Sequence, residues 1–379
     1  MVILRAVAER VYLIPGFFGF ANLGDFKYFA QVQESLGRSL ADRGREAEIL
    51  QIPTIPTASL RRRAGRLLEV LAETSAPGDA LHLIGHSTGG LDARLLMAPG
   101  VAVRSAVADV EPVIGRVRSV VSVASPHHGT PTAALFNSLL GQQLLEVMSI
   151  TTLHTIRLGS IPLPALLALV GLFDATGLMR KVSSGILDQV YRQVLRDFTP
   201  ERQAEIEEFF SMVSDDQALM PQLTPEGMDV FAATVRDRDA VRYGCVIAQA
   251  KPPAVSEMLR VGFDPTDQAS YMLFRVLHRL GSTLPQTLLP TLDAQAATML
   301  ERAYGAVPGV EANDAMVPVL SQVHGEVIHA AWSDHLDVVG HFRGSGPGKA
   351  DWLYSRSEFD AERLRAVWAD VAAFIAGSA

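Results

Sequence analysis

Hydrophobic positions along the chain follow two rhythms. Six short apolar runs, VYLI (11–14), EILQI (48–52), LHLI (81–84), VRSVVSVA (117–124), YGCVIAQ (243–249) and EVIHAAW (326–332), are flanked by turn-forming and polar residues. Runs of this length, rich in β-branched residues, predict strands. Between them the period becomes helical. From about Ser59 to Thr74, the residues Leu60, Ala64, Leu67, Leu68 and Leu71 share one face, and FDAERLRAVWADVAAFIA predicts a closing helix that starts after about Glu358. Strands alternating with helices predict βαβ units, hence an α/β fold whose mostly parallel sheet is covered on both faces. In such sheets, sites lie at the carboxyl ends of the strands.

The alternation stops between Thr130 and about Ala240. AALFNSLLGQQLLEVM, LPALLALVGLF and SGILDQVYRQVL read as apolar helices. The expected organisation is therefore a core over residues 1–130, a helical lid or cap inserted over 131–240, and the rest of the core over 241–379.

Composition narrows the picture. With 379 residues, 48% of them hydrophobic, the chain can bury a large core. A net charge of −8 without a basic patch argues against a nucleic-acid partner. LRRRAGR (60–66) is the densest basic run, and its helical leucine spacing makes it read as the solvated face of a helix. The single cysteine, Cys245, allows no intrachain disulfide and reads as a small buried side chain. The amino terminus has no signal-peptide pattern, so the chain as written reads as cytoplasmic, with export by another route left open. IPLPALLALVGLF (161–173) is too short to span a bilayer and holds two prolines, so no transmembrane segment is expected.

One turn carries chemistry. LHLIGHSTGGLD (81–92) sets Ser87 between Gly85 and Gly89, after a predicted strand and before the helical pattern GGLDARLLM. In that context G-x-S-x-G is a candidate nucleophile elbow, a bend that exposes the serine Oγ. The Thr88 N–H, at the helix start, points where an oxyanion would form. Serine needs a base at neutral pH, and in α/β hydrolases the chain order is Ser, acid, His. Of ten histidines, His335 in SDHLD follows the last predicted strand and suits the role. His82 and His329 sit in strands, His154 and His278 in helical stretches, and His86 adjoins the serine with its side chain pointing away. Asp314 in EANDAMVPV is the expected acid. Asp334 is its rival, although adjacent residues seldom let one side chain reach the other's imidazole. The first strand ends in IPGFFGF, where the Phe17 N–H is a second oxyanion donor and Phe17 and Phe18 line an acyl pocket. A simple apolar turn is the other reading.

Together PGFFGF, GHSTGG, SPHHGT and NDAMVPV…SDHLD resemble the bacterial triacylglycerol lipases of the α/β-hydrolase superfamily, specifically the true-lipase family of the Pseudomonas and Burkholderia type. The likeness covers about residues 10–135 and 285–342, and ALMPQLTPEGMDVF (218–231) adds a family-like stretch between them. It implies a Ser87, Asp314, His335 triad and hydrolysis of triacylglycerols or other hydrophobic esters at a lipid–water interface. An acyltransferase or a polyester hydrolase on the same site is the alternative within the fold. A catalytically inactive lipase-like binding protein is the alternative outside it. The family's oxyanion turn reads His-Gly-X, whereas this chain has Pro15-Gly16-Phe17. A main-chain donor survives that change, but the turn packs differently. The resemblance also implies a structural calcium, with Asp293 and Asp337 as ligands and no cofactor in the chemistry. The family's glutamine ligand falls on His341, a poor ligand for calcium. The family's frequent disulfide is absent.

Overall fold

The computed structural model describes residues 8–17, 28–29, 31–55, 57–136, 192, 195–196, 199–201, 203–204, 207, 216, 218–254, 261–284, 287, 289–344, 351 and 353–378. Each of the six apolar runs forms a strand: β1 (Glu9–Ile14), β2 (Ala47–Gln51), β3 (Ala80–His86), β4 (Val117–Val123), β5 (Arg242–Gln249) and β6 (Glu326–Trp332). They make one all-parallel sheet in the order β2-β1-β3-β4-β5-β6. Every residue of β1 is buried, as strands covered on both faces require.

The helices beside the first strands are α1 (Val32–Ala41), α2 (Leu60–Thr74), α3 (Thr88–Met97), α4 (Glu111–Ile114) and α5 (Pro131–Phe136). The Ser59 side chain accepts the Arg62 N–H and caps α2, whose buried residues include Leu60, Ala64, Leu67, Leu68 and Leu71. The chain runs from β1 out to the edge strand β2 and then back past β1 to β3. Right-handed crossovers in opposite directions put α1 and α2 on opposite faces. Accordingly α1 packs on the terminal helix Ala361–Ala376, and α2 packs on α3. The reversal leaves a crevice at the carboxyl ends of β1 and β3, the place where α/β sheets bind ligands.

One expectation is corrected. LRRRAGR is not simply a solvated face. Arg61 and Arg62 are exposed, but Arg63 is fully buried and paired with Asp92 of α3. Cys245 is buried in β5, and burial pushes its thiol up to about 12. Much of the expected lid, 131–240, lies outside the described residues. Its described parts include α5 and the helices Leu219–Gln222 and Pro225–Thr234.

Candidate active site

Ser87 sits at the bend between β3 and α3 with φ 54 and ψ −126, a conformation that side chains rarely adopt. Such strain costs about 1–3 kcal/mol and persists only where packing enforces it. The flanking glycines permit it. A Cβ on Gly85 would lie 2.1 Å from the Gly89 carbonyl carbon, and one on Gly89 would lie 2.2 Å from Ile14 O. The Ser87 N–H is tied to Val123 O at 2.8 Å. Thr88 follows as the first residue of α3.

The turn after β1 approaches the serine from the neighbouring strand. A Cβ on Gly16 would lie 2.6 Å from Ser87 Cβ, so only glycine fits there. Arg63 anchors this turn: Nη2 donates to Pro15 O at 2.9 Å and to Asp92 Oδ2 at 2.7 Å, Nε to both Asp92 oxygens, and Nη1 to Ile55 O. Burial raises the Asp92 carboxyl, and the guanidinium opposes that shift.

A second chain of bonds starts at Gly16. Its N–H donates to Tyr28 Oη at 3.2 Å, and Tyr28 Oη lies 2.6 Å from His86 Nδ1. His86 Nε2 lies 2.8 Å from the His335 carbonyl oxygen, which can only accept. His86 therefore carries its proton on Nε2 and accepts the Tyr28 hydroxyl at Nδ1. Burial, then the nearby His335, holds His86 well below the usual imidazole range and so neutral. His86 thus joins the turn after β1, through Tyr28, to the His335 loop.

His335 and Asp314 are brought together. His335 Nδ1 lies 2.7 Å from Asp314 Oδ2, and both residues are buried. Asp314 Oδ1 accepts the Met316 and Val317 N–H groups at 2.9 and 2.7 Å. The His335 N–H also donates to Asp314 O. The rival Asp334 is committed elsewhere: Oδ1 accepts the Leu336 and Asp337 N–H groups, and Oδ2 accepts Ser355 Oγ at 2.6 Å. Three other described histidines have a place of their own in the fold. His82 meets Ser119 and Glu9, His329 meets Asp370, and His278 is buried, which pushes it down to about 4.

Phe17, Ser87, Thr88 and His335 line one cleft, together with Pro126, Ala133, Met220, Leu223, Met316 and Val317. Counting the open solvent at its mouth, it holds about 380 Å³ of empty space. Thr130 and Thr132 also border it, and both hydroxyls donate to Met316 O. Phe18 lies outside the described residues.

No family model matches the sequence, and no curated protein matches it. Among solved structures, the chain is similar to the lipase of Staphylococcus hyicus, with TM-score 0.54 and 15% identity over 98% of this chain and 96% of that one. It is also similar to the metagenomic carboxyl esterase MGS0156, with TM-score 0.51 and 15% identity over 99% of this chain and 77% of that one. The fold is that of the α/β hydrolases. In the α/β hydrolases a nucleophile follows a strand in this way and its acid and base come from later loops, which is the placement of Ser87, Asp314 and His335 here. Among the described residues, no helix is long and apolar enough to cross a membrane.

Carboxylates near His335 form a separate group. Asp334, Asp337 and Asp351 each offer an oxygen, all within 4.8 Å of one another. Burial is the main cause that raises all three, Asp334 to about 6; repulsion from Asp314 adds to it at Asp334, and repulsion from Asp334 adds to it at Asp337 and Asp351. The resemblance implied Asp293 and Asp337 together, whereas Asp337 lies with Asp334 and Asp351. Asp293 is not in this group. It caps the helix Ala294–Tyr304 by accepting the Ala296 N–H at 2.7 Å. His341 donates from Nε2 to Tyr28 O.

Proposed function

We propose that the chain is a serine carboxylic-ester hydrolase acting on hydrophobic esters, triacylglycerols among them. The observation that carries this reading is the 2.7 Å contact between His335 and Asp314 in a loop that borders the same cleft as Ser87. Asp314 can only accept, so His335 holds its proton on Nδ1 and turns a basic Nε2 to the substrate side. Ser87 Oγ attacks the ester carbonyl and His335 takes its proton. The tetrahedral oxyanion is met by the Phe17 and Thr88 N–H groups, and loss of one such donor typically costs about 3 kcal/mol. His335 then protonates the leaving alcohol. Water, deprotonated by the same imidazole, releases the acid and restores Ser87. The Ala133, Met220, Leu223 and Val317 side of the cleft suits an acyl chain, each buried CH₂ contributing about 0.8 kcal/mol. Within the lipases, the oxyanion, elbow and NDAMVPV…SDHLD motifs favour the Pseudomonas and Burkholderia type.

A structural calcium belongs to the same proposal. Two buried carboxylates and a half-buried one, within 4.8 Å, repel one another when ionised, and hard oxygen donors suit that ion. Asp334, Asp337 and Asp351 would hold it; its part is to neutralise them and fix the His335 loop.

Nitrophenyl esters of increasing chain length, and emulsified triacylglycerol, test the main reading. Wild type hydrolyses them and Ser87→Ala does not; a fluorophosphonate labels wild type only. Full activity in Ser87→Ala would falsify the assignment.

A further inference from the structure

We propose that Gln322 is a positioning residue for the acid–base pair, its carboxamide holding the Asp314 oxygen that receives the His335 proton donor. This inference rests on the hydrolase reading above. It begins where β4 leaves the sheet. Its register with β5 ends at Val123↔Val246, and Ala124 N–H takes Val246 O at 2.9 Å. Backbone groups alternate sides along a strand, so Ala248 faces the edge that β4 has left. Gln322 fills that edge: its Oε1 accepts the Ala248 N–H at 2.8 Å and its Nε2 donates to Ala248 O at 3.0 Å.

This pairing fixes the amide orientation. The Ala248 N–H can only donate, so the amide oxygen must face it and the NH₂ must face the other way. There Nε2 lies 3.2 Å from Asp314 Oδ2 and 3.2 Å from Val317 O. Gln322 is fully buried, so bulk water does not compete. Its segment, Val319–Gln322, is clamped on the far side. Ser321 Oγ donates to Gly129 O at 2.7 Å and accepts the His128 N–H, and Ser321 O accepts the His127 N–H. The SPHHGT loop thus holds Gln322 in place.

The consequence concerns aim. Asp314 Oδ2 is shared between the imidazole and Gln322. Removing the amide donor takes away one of the two groups that hold this charged oxygen, so the carboxylate that aims the imidazole loses a restraint.

The test uses the full chain, with Gln322→Met and Gln322→Glu compared with wild type. Hydrolysis of nitrophenyl butyrate is followed across pH, competent sites are counted with a fluorophosphonate, and melting is recorded. Gln322→Met should lower kcat per labelled site roughly tenfold to a hundredfold, with KM within about twofold. In Gln322→Glu the new carboxyl must keep a proton to go on donating to Asp314. Its activity should therefore fall as pH rises, along an alkaline limb that wild type lacks. If both variants keep the wild-type kcat and pH profile per labelled site, the inference is overturned. It is equally overturned if the Gln322→Met loss appears only as fewer labelled sites. Should Gln322→Met fail to fold, the alkaline limb of Gln322→Glu decides. A wild type that neither labels nor hydrolyses esters defeats the parent reading, and this inference with it.

Discussion

Asp314 uses its two oxygens for different purposes. Oδ1 sits between two backbone N–H groups, which demand an acceptor, while Oδ2 faces the imidazole. That asymmetry decides what Asp314→Asn would do. The amide oxygen must take the Oδ1 position, so the NH₂ faces His335 Nδ1. The imidazole is then driven to the other tautomer, with its proton on Nε2 toward Ser87, where it cannot act as base. Activity should fall about 10⁴-fold while melting changes little, as read by ester hydrolysis and a thermal melt. Retention of activity within about tenfold of wild type would mean that another group orients the imidazole. The same reasoning separates Asp314 from Asp334. Along the sequence Asp334 adjoins His335 while Asp314 lies 21 residues before it, and the commitment of Asp334 to Leu336, Asp337 and Ser355 removes it from the choice.

At the scale of elements, the site depends on how the β1 turn is held against the β3 bend. Arg63 reaches from α2 to Asp92 on α3 and to the Pro15 carbonyl, joining two helices to the turn after β1. Arg63→Met strands a buried carboxylate and should cost about 3–5 kcal/mol, measured by urea unfolding. Adding Asp92→Leu should recover most of that stability, because the orphaned charge is gone, but not the activity, because Pro15 O stays unanchored. Full activity in the double variant would show that the turn holds itself. The strands were legible in the sequence because burial on both faces makes the inner runs mostly apolar, and six runs gave six strands within about two residues. The elbow was legible because close backbone approach at Gly85 and Gly89 admits no side chain. Arg63 was not, since Arg61 and Arg62 beside it are exposed and nothing local distinguishes them. Gln322 was not either, since its partner is a strand edge that exists only after β4 has turned away.

Across the whole molecule, the acid group ties distant segments together. Asp334 and Asp337 flank His335 in the loop after β6, while Asp351 and the partners Ser355 and Ser357 lie on the segment leading to the terminal helix. That helix is locked to the same loop by Trp368 Nε1, which donates to Val338 O at 3.1 Å, and it packs on α1. Loosening the acid group therefore loosens His335. Two states can relieve its repulsion: carboxyls that keep protons, or a bound divalent cation. They differ in their response to calcium and to pH. A bound ion must displace protons from carboxyls whose hold on them is raised, so its affinity increases as pH rises. Calcium at about a hundred times its dissociation constant contributes about 2.7 kcal/mol, which in a chain of this size corresponds to a melting shift of roughly 5 °C. The expected result is a rise with calcium and a fall with chelator, larger at pH 8 than at pH 5. Asp351→Asn should abolish most of both, since it removes one ligand and one of the repelling charges. Identical melting with calcium and with chelator at both pH values would leave the protonated group as the resting state and remove calcium from the proposal.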